Sequence, residues 1–565
     1  MEQSDSVSPD AYKRSNFVAD FYLRLKRVLN AQGILENIRL PYLKAAALLA
    51  TSLVFAGAYY QWPLFSSNQN TYFLAGLAKA GYGHLSADWL ANQTDHIPVF
   101  SWIVSWVHTY AGHWMYYVLF FGLVAVYAAS LMAIVARLYA PVWRVHEVAL
   151  FVALLTLVHG AWMVGDGFEW FATFLTDGLA GQYILGPFLQ PSAFGVLLIA
   201  SLACFLYKRE SAAIVCAVIA GTVHPTYALH AGILTGAYML VLVMERRPAR
   251  ALAVGALAAL LILPIVVYVV VFLRPTDPAL LSEAQAILFE ERFPHHAKVS
   301  AWFAANSSTM VEAGVKLAIV VGGIVMSYRS RRLFVVLTFC AAVAFGLSLV
   351  QVLTGSRSVA LLFPWRLSTW LLPVCSAILL GGLSVSAARA AERLTPAQLI
   401  PIGRASVVLL SVAVLLGSFY LGAKRTARGL LSEHQNEVLS YARTNARNGQ
   451  TYLVPLKYEK FRLGAGIPVF VDWKSHPYRD VEVLEWHDRV QLATAFYQAD
   501  SPDVVVRALA AIQQHAHVTH VIVKSGDEHL LEALGVQPLV RDRKHVLAEL
   551  QGPARSQQPN EPDVD

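Results

Sequence analysis

Charge is what this 565-residue chain has least of. Asp, Glu, Lys and Arg together make up 14% of it, where a soluble protein carries roughly a quarter. A soluble globular class is excluded on that ground. Cysteine is scarce as well. Cys204, Cys216, Cys340 and Cys375 all sit inside apolar runs and form no CxxC pair. Neither a disulfide framework nor a cysteine-rich metal site is encoded, and the four read as small buried hydrophobes. No P-loop is present, and no Gly-rich fingerprint follows a strand-like run, which argues against a nucleotide-driven pump. The N-terminus lacks the short apolar core and small-residue cleavage site of a secretory signal. The first span is therefore expected to stay in the mature protein. No internal repeat is visible.

What is there instead is apolar. Hydrophobic residues reach 56% and mean hydropathy is +0.49, which describes a polytopic membrane protein. A span needs roughly 20 apolar residues. The candidates are 41–61, 113–136, 146–164, 189–207, 211–227, 228–245, 251–273, 312–328, 333–353, 359–385 and 405–423, about eleven in all. The exits of the even-numbered spans are basic: Arg137 and Arg144, Lys208 and Arg209, Arg246, Arg247 and Arg250, Arg329, Arg331 and Arg332, then Arg389, Arg393 and Arg404. The N-terminus is basic too. The other connections are poor in Lys and Arg, and 165–188 has none. This alternation is the positive-inside pattern. It accounts for the net charge of +7 without nucleic acid. It puts the N-terminus in the cytoplasm and the loops 62–112, 165–188 and 274–311 outside. An odd number of spans sends the C-terminal segment outside as well, although Lys424, Arg425 and Arg428 cut against that placement.

The expected fold is mainly α: a transmembrane helical bundle over 41–423, with a small extracytoplasmic α/β domain over 424–550. Short β-like runs (TYLVPL, IPVFVDW, VTHVIV, QPLV) alternate there with helical patterns at 481–499, 502–516 and 527–535. Residues 1–40 read either as a basic amphipathic segment on anionic lipid or as a partly disordered tail. Residues 551–565 are rich in Pro and Gln and read as disordered. The large loop 62–112 organises the rest. It is too polar to span, yet amphipathic near Tyr72–Ala78 and over Ile97–Tyr110, and it reads as short helices along the membrane interface.

Polar clusters near span ends are the candidate sites, because polar groups at membrane depth are costly. The first loop offers Asn68, Gln69 and Asn70, then Asp88, Asp95 and His96. Asp88 or Asp95 could act as a general base toward a sugar hydroxyl. Each suits a cap or turn better, Asp88 beside Ser86 and Asp95 ahead of Pro98. The second loop carries Asp166 and Glu169, then Gln182, Gln190 and Ser192. The third holds RFPHH: Arg292, His295 and His296, with Lys298 and Trp302 following. Arg and His this close suit a phosphate or diphosphate headgroup. As a metal site the pair of adjacent histidines is poor, so no metal or other cofactor is expected. A divalent cation is compatible with the class, but no ligand set supports it. Arg366 in FPWRLSTW lies at the outer end of the tenth span and needs an anion or a carboxylate such as Asp166 or Glu169.

This plan resembles the GT-C class of polytopic glycosyltransferases. The likeness covers 41–423 and loosely beyond, and SNQNTY, DW, RFPHH, PWR and FRLGAGIPVFVDWKSHPY also resemble bacterial membrane proteins of the same plan. The resemblance implies an inner-membrane protein of the cell envelope that takes a polyprenyl-phosphate-linked sugar on the outer face, with inversion. It implies membrane lipids and envelope-glycan assembly proteins as partners, and no nucleic acid. It assigns catalysis to an acid of the first loop, Asp88 or Asp95. It assigns substrate binding to Asn68, Asn70, His96, Asp166, Glu169, Arg292, His295, His296 and Arg366. Members of the class carry an acid, often a pair, soon after the first span. Asn68, Gln69 and Asn70 stand there in this chain. Two alternatives therefore remain beside the enzyme: a non-catalytic assembly partner that binds lipid phosphate, and a transporter or flippase of a lipid-linked glycan.

Overall fold

Over the described residues the eleven apolar stretches are mainly helical in the computed structural model, which describes residues 40–139, 143–160, 169–298, 307–432 and 436–550. Seven helices are long and apolar enough to cross a membrane: Trp114–Tyr139, Thr226–Met244, Pro248–Phe272, Thr309–Arg329, Arg331–Thr354, Arg357–Leu394 and Ile400–Leu430. Ala45–Ala58, Val145–His159, Pro191–Leu206 and Glu210–Val223 are apolar but shorter. The protein is thus a multi-pass membrane protein, and among the described residues seven helices rather than eleven meet the length of a full span. Two compact units divide the chain, Met1–Leu53 and Val54–Asp565. The first is described over the opening turns of the helix Leu40–Ala58. Everything below concerns the second.

Sequence explains which helices are central. Arg357–Leu394 is mostly buried, while Pro248–Phe272, Thr309–Arg329 and Ile400–Leu430 are mostly exposed. The exposed ones present Leu252, Leu260, Val270, Val321 and Leu409 outward, as lipid-facing helices must. Small residues allow close approach: a Cβ on Gly381 would lie 2.5 Å from Val135 Cγ1, and one on Gly323 2.4 Å from Cys375 Cβ.

The basic exits form two ion-pair networks. Buried Glu147 accepts from Arg389 Nε at 3.2 Å, and Glu392 from Arg144 Nη1 and Arg404 Nε, each at 2.7 Å. Arg332 reaches Glu245 at 2.6 Å, and Arg247 reaches Glu210 at 3.1 Å. These arginines therefore join helix ends as well as carrying the charge bias.

The loops opposite those exits meet the C-terminal α/β segment. Its sheet has the order β1-β2-β4-β3, from Tyr452–Leu453 (β1), His520–Lys524 (β2), Pro538–Arg541 (β3) and His545–Glu549 (β4). β1 and β2 are parallel and the remaining pairs antiparallel. Helices Asp480–Tyr497 and Pro502–His515 cover it. IPVFVDW is not a strand. It makes a single parallel bridge, Val469 with Tyr452, because Pro468 has no N–H to donate to a ladder. The core of this segment is not its own alone. Trp486, Phe470, Val521 and Leu530 pack with Ala284, Ile287, Leu288 and Phe293 of the third loop.

The first loop folds into Gln69–Tyr72, Leu74–Lys79 and Pro98–Tyr110. Pro98–Tyr110 buries Phe100, Val104 and Val107 and exposes Trp102, Trp106 and Tyr110. The last long helix continues to Ser432 instead of ending at 423. Residues 1–39 and 551–565 lie outside the described residues, as do 161–168 and with them Asp166. Glu169 opens the helix Glu169–Thr176.

Candidate functional site

The first-loop amides act as fasteners. Asn68 Nδ2 donates to Gln190 Oε1 at 3.0 Å, and Asn70 Nδ2 to Ser67 O at 3.1 Å. Ser475 Oγ donates to Asn70 O at 3.3 Å. Ser67 sits at φ 48, a left-handed backbone stabilised by these bonds.

Asp88 does not stand in an open site. It is fully buried, and both oxygens are engaged. Oδ1 accepts from Leu90 N at 3.0 Å and Ala91 N at 3.3 Å, and Oδ2 from Val469 N at 3.1 Å. Arg462 Nε lies 3.0 Å from Oδ2, and Arg462 Nη1 lies 2.6 Å from Asp472 Oδ2. The guanidinium is off the hydrogen-bond line in both contacts, so its tie is electrostatic. A carboxylate held this way caps a turn and joins the first loop to the C-terminal segment. Fully buried, with its remaining acceptor site turned to the Arg462 guanidinium, it meets no open space in which a sugar hydroxyl could sit, and the candidate base role does not fit it. Asp95 is also committed. Oδ2 meets Lys79 Nζ at 2.7 Å, while Oδ1 accepts from Ile97 N and Ser101 Oγ at 3.1 Å each. Unlike Asp88, it lines a small cleft together with Tyr72, Gln93, Thr94, His96 and His476.

Cations gather beside that cleft from three separate parts of the chain. Arg366 stands over the Phe363 ring at 5.4 Å and Arg292 over the Phe293 ring at 5.4 Å. The two rings meet edge to face with centroids 5.9 Å apart. Arg366 Nε donates to Gln182 Oε1 at 3.0 Å. Arg292 donates through Nη2 to Lys474 O at 2.8 Å and through Nε to His476 Nδ1 at 3.3 Å. Among the described residues, no carboxylate lies within ion-pair distance, 4.0 Å, of Arg366, Arg292 or Lys474. The expected alternatives for Arg366, Asp166 and the Glu169 side chain, fall outside what is described.

The histidines here are neutral. Burial, then the charges of His295, Arg366 and Arg292, push His296 down to about 3, against the pull of its bond to Ala180 O. His296 Nδ1 donates to that carbonyl at 3.0 Å. The contact of the Phe293 and Phe363 rings brings the third loop and the start of Arg357–Leu394 together, and both guanidinia act on His296. Burial likewise lowers His96 to about 4, opposed by Asp95, and carries His476 well below its usual value, with Arg292 adding to the effect. His295 is exposed at the rim, its ring 4.1 Å from that of His296. His96 stacks on Tyr478 at 4.2 Å.

Gln182, named with the second loop, belongs to this site; so do Tyr72, Lys474, His476 and Tyr478, which were not among the sequence candidates. The signal for three of them was the run WKSHPY, whose Lys, His and Tyr suit a polyanion or carbohydrate face. Among the described residues no group of three or more His, Cys, Asp and Glu could hold a metal ion.

Residues 433–493 match a family described as a domain of unknown function, DUF6798. No curated protein matches the chain. Two solved structures of ArnT from Cupriavidus metallidurans, a GT-C-type polytopic membrane glycosyltransferase, are similar to it. One is bound to undecaprenyl phosphate: 13% identity, 93% of this chain, 100% of that chain, TM-score 0.48. The other is the apo state: 14% identity, 91% of this chain, 99% of that chain, TM-score 0.47. Likeness at this level assigns no activity and no residue to this chain.

Proposed function

We propose that this membrane protein binds the phosphate of a polyprenyl-phosphate-linked sugar at the outer membrane face and acts as a GT-C-like glycosyltransferase. The observation that carries the reading is the trio Arg292, Arg366 and Lys474, partly buried and without a carboxylate at ion-pair distance among the described residues. Partly buried cations need a counter-charge. A phosphate supplies it and accepts the bidentate pair that an arginine offers. A small cleft lined by Tyr72, His96 and His476 adjoins them. His96, held neutral by burial, lines that cleft with a buried Nε2 that has no partner among the described residues.

A second reading has its own support: a non-catalytic protein that binds the same lipid phosphate. Asp88 and Asp95 are both engaged in structural contacts, which leaves no free first-loop carboxylate among those described. Both readings share the phosphate. Undecaprenyl phosphate should raise the melting temperature of the purified full chain in proportion to ligand over Kd. Arg366→Gln should weaken binding about 10- to 100-fold, the worth of a hydrogen bond to a charged group. Unchanged affinity in the folded variant overturns the site. Transfer of sugar from the lipid separates the enzyme from the binder.

A further inference from the structure

We propose that Gln182 is the positioning residue of Arg366: its neutral amide aims the guanidinium and leaves the positive charge for the ligand. The inference rests on the lipid-phosphate reading above and adds a residue to it.

The turn that carries Gln182 is built onto the segment that carries Arg366. Ala180 and Gly181 are both left-handed, at φ 59 and φ 61, and Gln182 N closes the turn on Leu179 O at 3.2 Å. Three ties from elsewhere in the chain hold it. Lys316 Nζ donates to Gly178 O at 2.9 Å, Leu179 N to Ser368 Oγ at 2.8 Å, and His296 Nδ1 to Ala180 O at 3.0 Å. A Cβ on Gly178 would lie 2.5 Å from Ser368 Oγ and 2.7 Å from Thr369 N. Glycine therefore lets the turn sit directly on the opening of the helix Ser368–Leu394, next to Arg366 in sequence. The backbone of Gln182 is thus fixed by the same helix end as the group its side chain meets.

Gln182 is 4% exposed. Arg366 Nε can only donate, so Gln182 Oε1 accepts, at 3.0 Å. A guanidinium presents its N–H groups in a rigid planar fork. The amide takes the one at Nε, and the Phe363 ring lies under the plane at 5.4 Å. What remains is the pair Nη1 and Nη2, which has no hydrogen bond or ion pair among the described residues. That edge can form two parallel bonds to one phosphate.

The acceptor is an amide, not a carboxylate. Elsewhere this chain joins arginines to acids: Arg389 to Glu147, Arg144 and Arg404 to Glu392, Arg332 to Glu245 and Arg247 to Glu210. There the carboxylate holds the guanidinium and also supplies its counter-charge. Gln182 holds Arg366 without doing the second, and it does so with a buried Nε2 that meets no acceptor among the described residues. Direction is fixed while the charge stays uncompensated, which is the state an anion-binding arginine needs before its ligand arrives.

The test compares three forms of the full chain in lipid nanodiscs, with undecaprenyl phosphate as the probe: the parent, Gln182→Glu and Gln182→Met. Glu keeps the acceptor and adds a negative charge. Met keeps the length and removes both the acceptor and the unpartnered N–H. Gln182→Glu should bind about tenfold or more weakly than the parent, because its carboxylate competes with the phosphate. Gln182→Met should lose roughly two- to fivefold, because the guanidinium keeps its charge but not its aim. A merely structural hydrogen bond gives the opposite order, since Glu preserves it and Met does not. Gln182→Glu binding as well as or better than Gln182→Met therefore overturns the proposal and leaves the lipid-phosphate reading standing. Should Gln182→Glu not fold, Gln182→Met decides: parent affinity overturns the positioning role, and a severalfold loss upholds it. No binding by the parent overturns both readings.

Discussion

Asp88→Asn separates a structural carboxylate from a catalytic one. The substitution keeps the shape and removes the charge. In the folded protein Asp88 is fully buried, with three backbone N–H donors and the Arg462 guanidinium upon it. An Asn oxygen can keep some of the backbone bonds, but its NH₂ faces a donor in place of an acceptor. Arg462, 1% exposed, would be left with Asp472 alone. Breaking one side of a buried ion pair costs about 3–5 kcal/mol. Asp472 offsets part of this, since two carboxylates flank one arginine and their mutual repulsion is relieved. We expect a loss of about 2–4 kcal/mol, read as a fall of several degrees in the melting temperature of the detergent-solubilised protein. Binding of undecaprenyl phosphate, measured well below that temperature, should be within about twofold of the parent, because Asp88 makes no contact with the cation group. A variant that melts like the parent but loses sugar transfer refutes this reasoning and returns Asp88 to the active site.

Two further outcomes follow from the same contacts. His96, His296 and His476 are all held below the ordinary histidine value of 6.5 by burial. The unfolded chain therefore takes up protons below about 6.5 that the folded chain refuses down to about 4 at His96 and about 3 at His296. Stability is full above 6.5 and falls as pH drops, by up to ~1.4 kcal/mol per unit for each group. Melting temperature recorded from pH 7.5 to 4.5 should decline, and a flat profile would show that these rings are solvated. For the orientation, a cysteine at Asp503, exposed on the C-terminal segment, should react with a membrane-impermeant maleimide on intact cells; labelling after lysis alone reverses the proposed topology.

The bundle was legible because hydropathy is a local property. Over the described residues the apolar stretches became mainly helices, and the basic exits marked the ends that form the Glu147, Glu392, Glu210 and Glu245 networks. Three of the four strands were legible as β-branched runs. β4 was not, because HVLAE follows RDRK and its partner β2 lies well upstream in sequence. The convergence of Arg292, His296 and Arg366 could be guessed from cost, since each needed an anion. Asp88 could not be assigned, because its role is set by Arg462 and Val469, far along the chain. Nor could His476, whose place against Arg292 and the Lys474 carbonyl is set only in the folded chain.

The backbone beside the cations is held at some cost, and that cost can be measured. Phe363 stands at φ 50 and Ala180 at φ 59, left-handed values that cost a residue with a Cβ roughly 1–2 kcal/mol. Phe363 has a reason to be there, since its ring lies under Arg366 and against Phe293, and glycine would remove the ring. Ala180 contributes only its carbonyl, which accepts from His296, so glycine keeps the interaction. Ala180→Gly should relieve the left-handed strain of about 1–2 kcal/mol and lose about 0.5–1 kcal/mol to the freer unfolded chain. The balance is neutral to about 1 kcal/mol stabilising, seen as an unchanged or slightly raised melting temperature with undecaprenyl phosphate affinity unaltered. A clear fall in melting temperature would mean that the Ala180 methyl packs in a way that outweighs its strain. Unchanged stability with weakened binding would mean that the turn must be stiff to hold His296 in place.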